Sequence, residues 1–178
     1  MSTAQNSKQI KNIALAGLFA ALTFVVTAYL HIPVGTNGGY IHPGDGVIFL
    51  AASLLSTPYA VVASAIGGVL ADGLSGAYIW IPATLVIKAV TALFFTSKGS
   101  KIITVRNLLG IIPSLILCIV GYAVYEGVVI AGGFSKAAMI AAFAGAPMSC
   151  VQVALSSILY IVLGLALDKI GFKKKMEI

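Results

Sequence analysis

The sequence predicts an all-α integral membrane protein with six transmembrane helices. Of the 178 residues, 60% are hydrophobic and only 9% are charged, and the mean hydropathy is +1.06. A soluble domain needs a polar surface that this composition cannot supply. Apolar stretches recur along the chain, and no polar stretch is long enough for a second domain. We therefore predict one transmembrane domain over residues 1–178.

Short polar or glycine-rich connections separate six apolar segments. A helix that crosses a bilayer needs about 20 apolar residues, or fewer where neighbouring helices surround it. The predicted spans are residues 10–30, 46–56, 59–74, 82–96, 108–131 and 138–167. No small-residue cleavage site follows the first apolar run, so we expect this run to remain as a span and not to be removed as a signal peptide.

Basic residues predict the orientation of the spans. They form three clusters, which are Lys8 and Lys11; Lys98, Lys101 and Arg106; and Lys169, Lys173, Lys174 and Lys175. With six spans, all three clusters fall on one side, and the positive-inside rule places that side and both termini in the cytoplasm. The net charge of +6 is thus explained by topology and by contact with anionic lipid headgroups, without a nucleic-acid partner.

The first span contains small residues at three- and four-residue spacing. Ala14, Gly17 and Ala21 form one set, and Ala16 and Ala20 form another. Small residues allow helices to approach closely within a membrane. The spacing predicts a packed helix on this span, from this chain or from a partner.

Two connections on the predicted outer side contain residues suited to binding. Residues 31–45, HIPVGTNGGYIHPGD, are too rich in Gly and Pro for a helix, and we interpret them as a lid or wall over a pocket. The connection SGAYIWIPAT carries Tyr78 and Trp80. Their rings either stack on a planar heterocycle or lie at the level of the lipid headgroups.

The charged residues within the apolar segments favour a polar pocket. Lys88 lies six residues after Pro82, which places it roughly 9 Å into the fourth span. An ionisable group inside a bilayer is costly unless it is paired or faces water. Three acidic residues, Asp45, Asp72 and Glu126, lie at the same predicted end of the helix bundle. Three acids and one lysine leave negative charge that the lysine cannot neutralise. The alternative is a lysine–carboxylate pair that only locks the bundle.

The sixth span carries Gln152 between Ser149 and Ser156 on one helix face. An amide at this depth either bonds to another helix or contacts a ligand. No His and Cys residues occur at metal-ligand spacing, so we expect neither a metal nor a haem. No phosphate-binding glycine motif and no nucleophile–base pair are present, so we expect neither nucleotide hydrolysis nor an enzyme.

Two motifs and the basic loop after them resemble a known family. GGYIHPGD precedes the short second span, and IGGVLADGLSGAYIWIPATLVIK covers the second half of the third span and the start of the fourth. This order resembles the substrate-binding S component of an energy-coupling factor (ECF) vitamin transporter. The resemblance is to the branch of riboflavin, hydroxymethylpyrimidine and vitamin B6 carriers, and it is strongest over residues 38–88.

The resemblance implies that the chain captures a vitamin or heterocyclic precursor outside a prokaryotic plasma membrane. A transmembrane coupling subunit and two ATPase subunits would then drive uptake. Ala16 and Ala20 match the family's Ala-x-x-x-Ala contact with the coupling subunit. The inferred pocket is aromatic and acidic, which favours a pyrimidine or pyridine vitamin precursor, with riboflavin as the further candidate. The predicted substrate contacts are Asn37, Tyr40, His42, Asp45, Asp72, Tyr78, Trp80, Lys88, Glu126 and Gln152.

The alternative function is a stand-alone, proton-coupled secondary transporter that uses Asp72 or Glu126. Inverted repeats would favour it. Residues 10–75 and 80–168 show no convincing similarity, and the short second span has no counterpart in the second half. A purely structural membrane protein is disfavoured by the charges within the spans.

Overall fold

The computed structural model of the chain describes residues 3–34 and 39–175. The helices are α1 (Thr3–Tyr29), α2 (Asp45–Leu54), α3 (Thr57–Leu74), α4 (Ile81–Ala92), α5 (Val105–Leu109), α6 (Ile111–Tyr125), α7 (Lys136–Phe143), α8 (Ala146–Lys169) and α9 (Phe172–Lys175). A 3₁₀ turn at Tyr78–Trp80 leads into α4, and a π-helical turn at Glu126–Ile130 continues α6.

The connection after α1 contains a short hairpin that the all-α prediction did not include. Strands β1 (Ile32–Val34) and β2 (Gly39–Ile41) pair antiparallel, with Ile32 opposite Ile41. The expectation that this connection is not helical is confirmed. In the described part of the chain, every other regular element is helical.

Four helical stretches of the described chain are long and apolar enough to cross a membrane. They are Gln5–Tyr29, Thr57–Leu74, Val105–Ile130 and Lys136–Lys169. The predicted second and fourth spans are also helical and apolar, but Asp45–Leu54 and Tyr78–Ala92 are shorter. Every residue of α2 is buried, so protein surrounds this helix. A helix that does not face lipid can be shorter than the bilayer is thick.

The predicted sixth span, residues 138–167, lies within the membrane-length stretch Lys136–Lys169, which is made of two helices. Helix α7 ends at Phe143, and α8 begins at Ala146 with Pro147 in its first turn. Proline suits that position because its missing N–H has no partner in the first turn of a helix. The fourth helix also ends earlier than predicted, at Ala92.

Helix α2 forms the centre of the core and packs against α8, α1 and α3. The Phe49 ring stacks on Phe95 at 4.6 Å and meets Tyr160 edge-on at 5.9 Å. Helices α1 and α3 approach closely at Gly67. A Cβ atom there would lie 2.7 Å from the carbonyl oxygen of Ala20, so a larger residue would push the two helices apart.

Polar contacts define two ends of the bundle. At the end that we call the basic end, Lys173 donates to the carbonyl oxygen of Ser53, the last turn of α2, at 3.1 Å. There Asp168 accepts the backbone N–H groups of Ile102 and Ile103 at 2.7 and 2.9 Å. The C-terminal lysines and the basic connection thus share one end, as predicted. The opposite end, with β1, β2 and the start of α2, is called the hairpin end.

Candidate functional site

A cavity of about 410 Å³ lies at the hairpin end. This volume is within the roughly 300–1,000 Å³ of typical small-molecule sites. The hairpin, α3, α4, α6, α7 and α8 all contribute to its wall. Six predicted contacts line it, namely Tyr40, His42, Asp72, Trp80, Glu126 and Gln152.

The hairpin supplies a tyrosine that holds an acidic residue of α3. The Tyr40 hydroxyl donates to Asp72 Oδ1 at 2.5 Å. Burial, and then the adjacent carboxylate, raise the pKa of Tyr40 far above its usual value, so the phenol stays a donor. The other oxygen, Asp72 Oδ2, is buried and has no hydrogen-bond partner among the described residues. The Thr84 hydroxyl lies beside this carboxylate as a hydrogen-bonding neighbour, and it also shares a hydrogen bond with Tyr122 at 3.1 Å.

His42 forms a fixed and neutral part of the wall. Its side chain is buried, and Nδ1 accepts the backbone N–H of Gly44 at 3.1 Å. Burial lowers the pKa of His42 to about 3, so the imidazole carries no charge near neutral pH. Because Nδ1 is an acceptor, the ring proton resides on Nε2.

One of the two predicted aromatic residues after α3 lines the cavity, and the other does not. Trp80 is buried and lies edge-on to Tyr122, with 5.8 Å between ring centroids. Tyr78 is 68% exposed and lies outside the cavity. Residues two apart on a 3₁₀ turn of three residues per turn point in different directions. Of these two predicted substrate contacts, Trp80 therefore lines the cavity and Tyr78 does not.

A buried ion pair lies behind the cavity wall. Lys88 Nζ is 2.6 Å from Asp45 Oδ1, and both side chains are almost fully buried. Neither residue lines the cavity. Gln152 does line it, and its Nε2 donates to Asp45 Oδ2 at 2.8 Å. The structure thus combines the two interpretations of the charges, because a locking pair and a polar cavity occur side by side.

Some cavity residues were absent from the predicted contacts. Tyr122 and Thr84 line it, as do the small residues at the break between α7 and α8. Tyr122 lies four residues before Glu126, and this helical spacing was the available signal. The small residues carry no polar or aromatic side chain that would identify them in the sequence as part of a binding site. They lie where α7 ends and α8 begins, around residues 144–145.

Two further predictions have different outcomes. Asn37, a predicted substrate contact, lies outside the described residues.

The predicted partner contacts are on α1. Ala20 is buried within the contact between α1 and α3, and Ala16 is half-buried. A partner helix therefore cannot reach Ala20 while α1 stays packed on α3. Gly17 is exposed instead, and a Cβ atom at this position would meet no other atom within 4 Å.

No group of three His, Cys, Asp or Glu side chains within residues 3–34 and 39–175 is arranged to hold a metal ion. The cavity combines two carboxylates, an amide and aromatic rings, which suits hydrogen bonding to a flat polar molecule.

One comparison with known proteins identifies a family for this chain. The family model of the ECF-type riboflavin transporter, S component, matches residues 7–169, which is most of the chain. No curated protein sequence matches the chain. The family match covers the hairpin, helices α2 to α8, most of α1 and every described wall of the cavity. The chain therefore belongs to the family of ECF-type riboflavin transporter S components.

Proposed function

We propose that this chain is the substrate-capture subunit of an ECF-type importer and that its cavity binds riboflavin or a related heterocycle. The observation that carries this proposal is the cavity of about 410 Å³, lined by carboxylate, amide and aromatic side chains at one end of an apolar bundle. Such a lining supplies stacking surfaces and a few oriented polar groups, as small-molecule sites do.

The charge of the cavity lining indicates which class of ligand it can bind. Asp72 and Glu126 line the cavity, His42 is neutral, and no described residue of the wall is Lys or Arg. An anionic ligand would meet like charge at Asp72 and Glu126. A neutral or cationic heterocycle fits better. Riboflavin comes first because it is neutral and is the vitamin that the family description names, and pyrimidine and pyridine precursors come next.

The proposal extends to topology and partners. We place the hairpin end outside and the basic end in the cytoplasm of a prokaryotic plasma membrane, because Lys and Arg collect at the basic end. The six apolar segments then form one multi-pass domain. We assign the energy for uptake to separate ATPase subunits, joined through a membrane coupling subunit, because the sequence has no phosphate-binding motif of its own.

Mass spectrometry of the small molecule released from gently purified protein tests this function directly. We expect a stoichiometric heterocycle, and titration of the emptied protein with riboflavin should give tight, saturable quenching of flavin fluorescence. A protein that is empty and does not respond to riboflavin or the precursors contradicts the proposal.

Uptake assays separate the proposal from a proton-coupled carrier. We expect transport into cells to stop when the ATPase subunits are inactivated. Transport that continues without them, and stops when the proton gradient is collapsed, would establish the carrier instead.

Asp72→Asn is expected to weaken riboflavin binding about tenfold. Asparagine can still accept from Tyr40, but it replaces the unpartnered oxygen with an N–H group that repels a ligand donor. Fluorescence titration measures the affinity, and the unfolding temperature should stay close to wild type. Loss of folded protein, with no binding defect in what remains, would support a purely structural role for Asp72.

Gly17→Leu is expected to preserve riboflavin binding and to block assembly with the coupling subunit. Gly17 is exposed in the isolated chain, so the new side chain disturbs no internal contact but prevents close helix approach. Co-purification of the complex measures assembly. Val162→Leu, at another exposed membrane position, is the control and should assemble normally. Normal assembly of Gly17→Leu would exclude this face of α1.

A further inference from the structure

The side-chain amide of Gln152 has both of its N–H groups engaged away from the cavity. Nε2 lies 2.8 Å from Asp45 Oδ2 and 3.8 Å from Cys118 Sγ. A primary amide has only two N–H donors, so these contacts use both. The carbonyl oxygen Oε1 accepts no hydrogen bond from any described residue. Because Gln152 lines the cavity, its carbonyl oxygen is the group left for a ligand.

The buried ion pair prevents this amide from turning over. An ionised carboxylate only accepts hydrogen bonds. Lys88, at 2.6 Å from Asp45 Oδ1, stabilises the charged form of that carboxylate. A rotated amide would place its carbonyl oxygen against a carboxylate oxygen, with no donor between them and little water to screen them. The orientation of Gln152 therefore follows from the charge of Asp45.

We infer that Gln152 selects a ligand that presents an N–H donor, and that Asp45 and Lys88 are positioning residues that fix this selectivity. The inference rests on the proposed function and names the ligand edge that the site recognises. It makes the ion pair part of recognition although neither of its members touches the cavity.

A second acceptor in the same cavity supports the inference. Asp72 Oδ2 is buried without a partner among the described residues, and Asp72 also lines the cavity. Two acceptor atoms with no donor among the described residues favour a ligand with donors at two places. Riboflavin has this chemistry, since its ring carries one imide N–H and its side chain carries hydroxyl groups. We assign the imide N–H to Gln152 and a hydroxyl group to Asp72.

Comparison of riboflavin with 3-methylriboflavin, in which a methyl group replaces the imide hydrogen, tests the assignment. A site that hydrogen-bonds a ligand N–H discriminates strongly against an analogue without it. On the wild-type protein we expect 3-methylriboflavin to bind at least about tenfold more weakly. Equal affinity for the two flavins overturns the inference but leaves the proposed function intact. If neither flavin binds, the riboflavin assignment and the inference are both overturned.

Gln152→Met separates a lost hydrogen bond from a steric effect of the methyl group. Methionine has a similar length but no strong acceptor. We expect it to weaken riboflavin binding about tenfold and to reduce the penalty for methylation to less than about threefold. Unchanged riboflavin affinity in this variant contradicts the inference. Cys150→Ser, at an exposed position of α8, is the control and should behave as wild type.

The double variant Asp45→Asn, Lys88→Met tests the positioning role. It removes both charges and places a neutral amide at position 45 beside Gln152. Because an amide can both donate and accept, Gln152 can then adopt either orientation. We expect the ratio of the two flavin affinities to fall towards one. A merely structural ion pair would weaken both flavins equally and keep their ratio, and that result overturns the positioning role. If a variant fails to fold, the comparison of riboflavin with 3-methylriboflavin on the wild-type protein still tests the assignment of the imide N–H.

Discussion

Lys88→Met is expected to destabilise the protein by about 3–5 kcal/mol, because it leaves the Asp45 carboxylate without its cation. Lys88 is 2% exposed and Asp45 3%, so water cannot replace the lost partner. The Gln152 amide is the other side-chain donor to this carboxylate, and it carries no charge. The free energy of unfolding, measured by denaturation in detergent micelles, should fall by that amount or the variant should fail to accumulate.

The charge-neutral double variant is the matched control for this prediction. Asp45→Asn, Lys88→Met removes both members of the pair, and replacing a buried pair by neutral residues is often close to neutral in stability. We expect it to regain most of the loss caused by Lys88→Met. A single variant as stable as wild type would mean that Asp45 is already neutral or hydrated in the folded protein.

The fold was largely predictable because hydropathy reports on each segment separately. All six apolar segments are helical, and the glycine- and proline-rich connection is not. The break between α7 and α8 was missed because residues on both sides of it are apolar, so hydropathy does not change there. Pro147 was the available signal, since proline favours the first turn of a helix.

Side-chain direction was less predictable, because it depends on contacts between segments. Trp80 and Tyr78 have similar local surroundings, yet a 3₁₀ turn sends only Trp80 into the cavity. Ala20 looked available to a partner, but Gly67 lies more than 40 residues away in sequence and brings α3 against it. Charge was the better guide, since a lysine within an apolar segment requires a partner, and Lys88 has one.

Trp80→Ala is expected to weaken riboflavin binding about 100-fold. Stacking of a heterocyclic base on an aromatic side chain contributes roughly 1–3 kcal/mol, and the burial of Trp80 favours the upper part of that range. Trp80 is 8% exposed, and its ring lies edge-on to Tyr122 and tilted to Tyr125, so neighbouring rings hold it in place. Titration of the purified variant by flavin fluorescence measures the loss, with thermal unfolding as the check on folding.

Tyr78→Ala is the matched control, because it removes an aromatic ring two residues away that lies outside the cavity. We expect riboflavin affinity within about twofold of wild type, since no wall of the cavity changes. Equal losses of affinity in the two variants would mean that both rings contact the ligand. The hairpin end would then have to change conformation on ligand binding, so that Tyr78 reaches the ligand. A loss confined to Tyr78→Ala would place the ligand outside the cavity and contradict the proposed site.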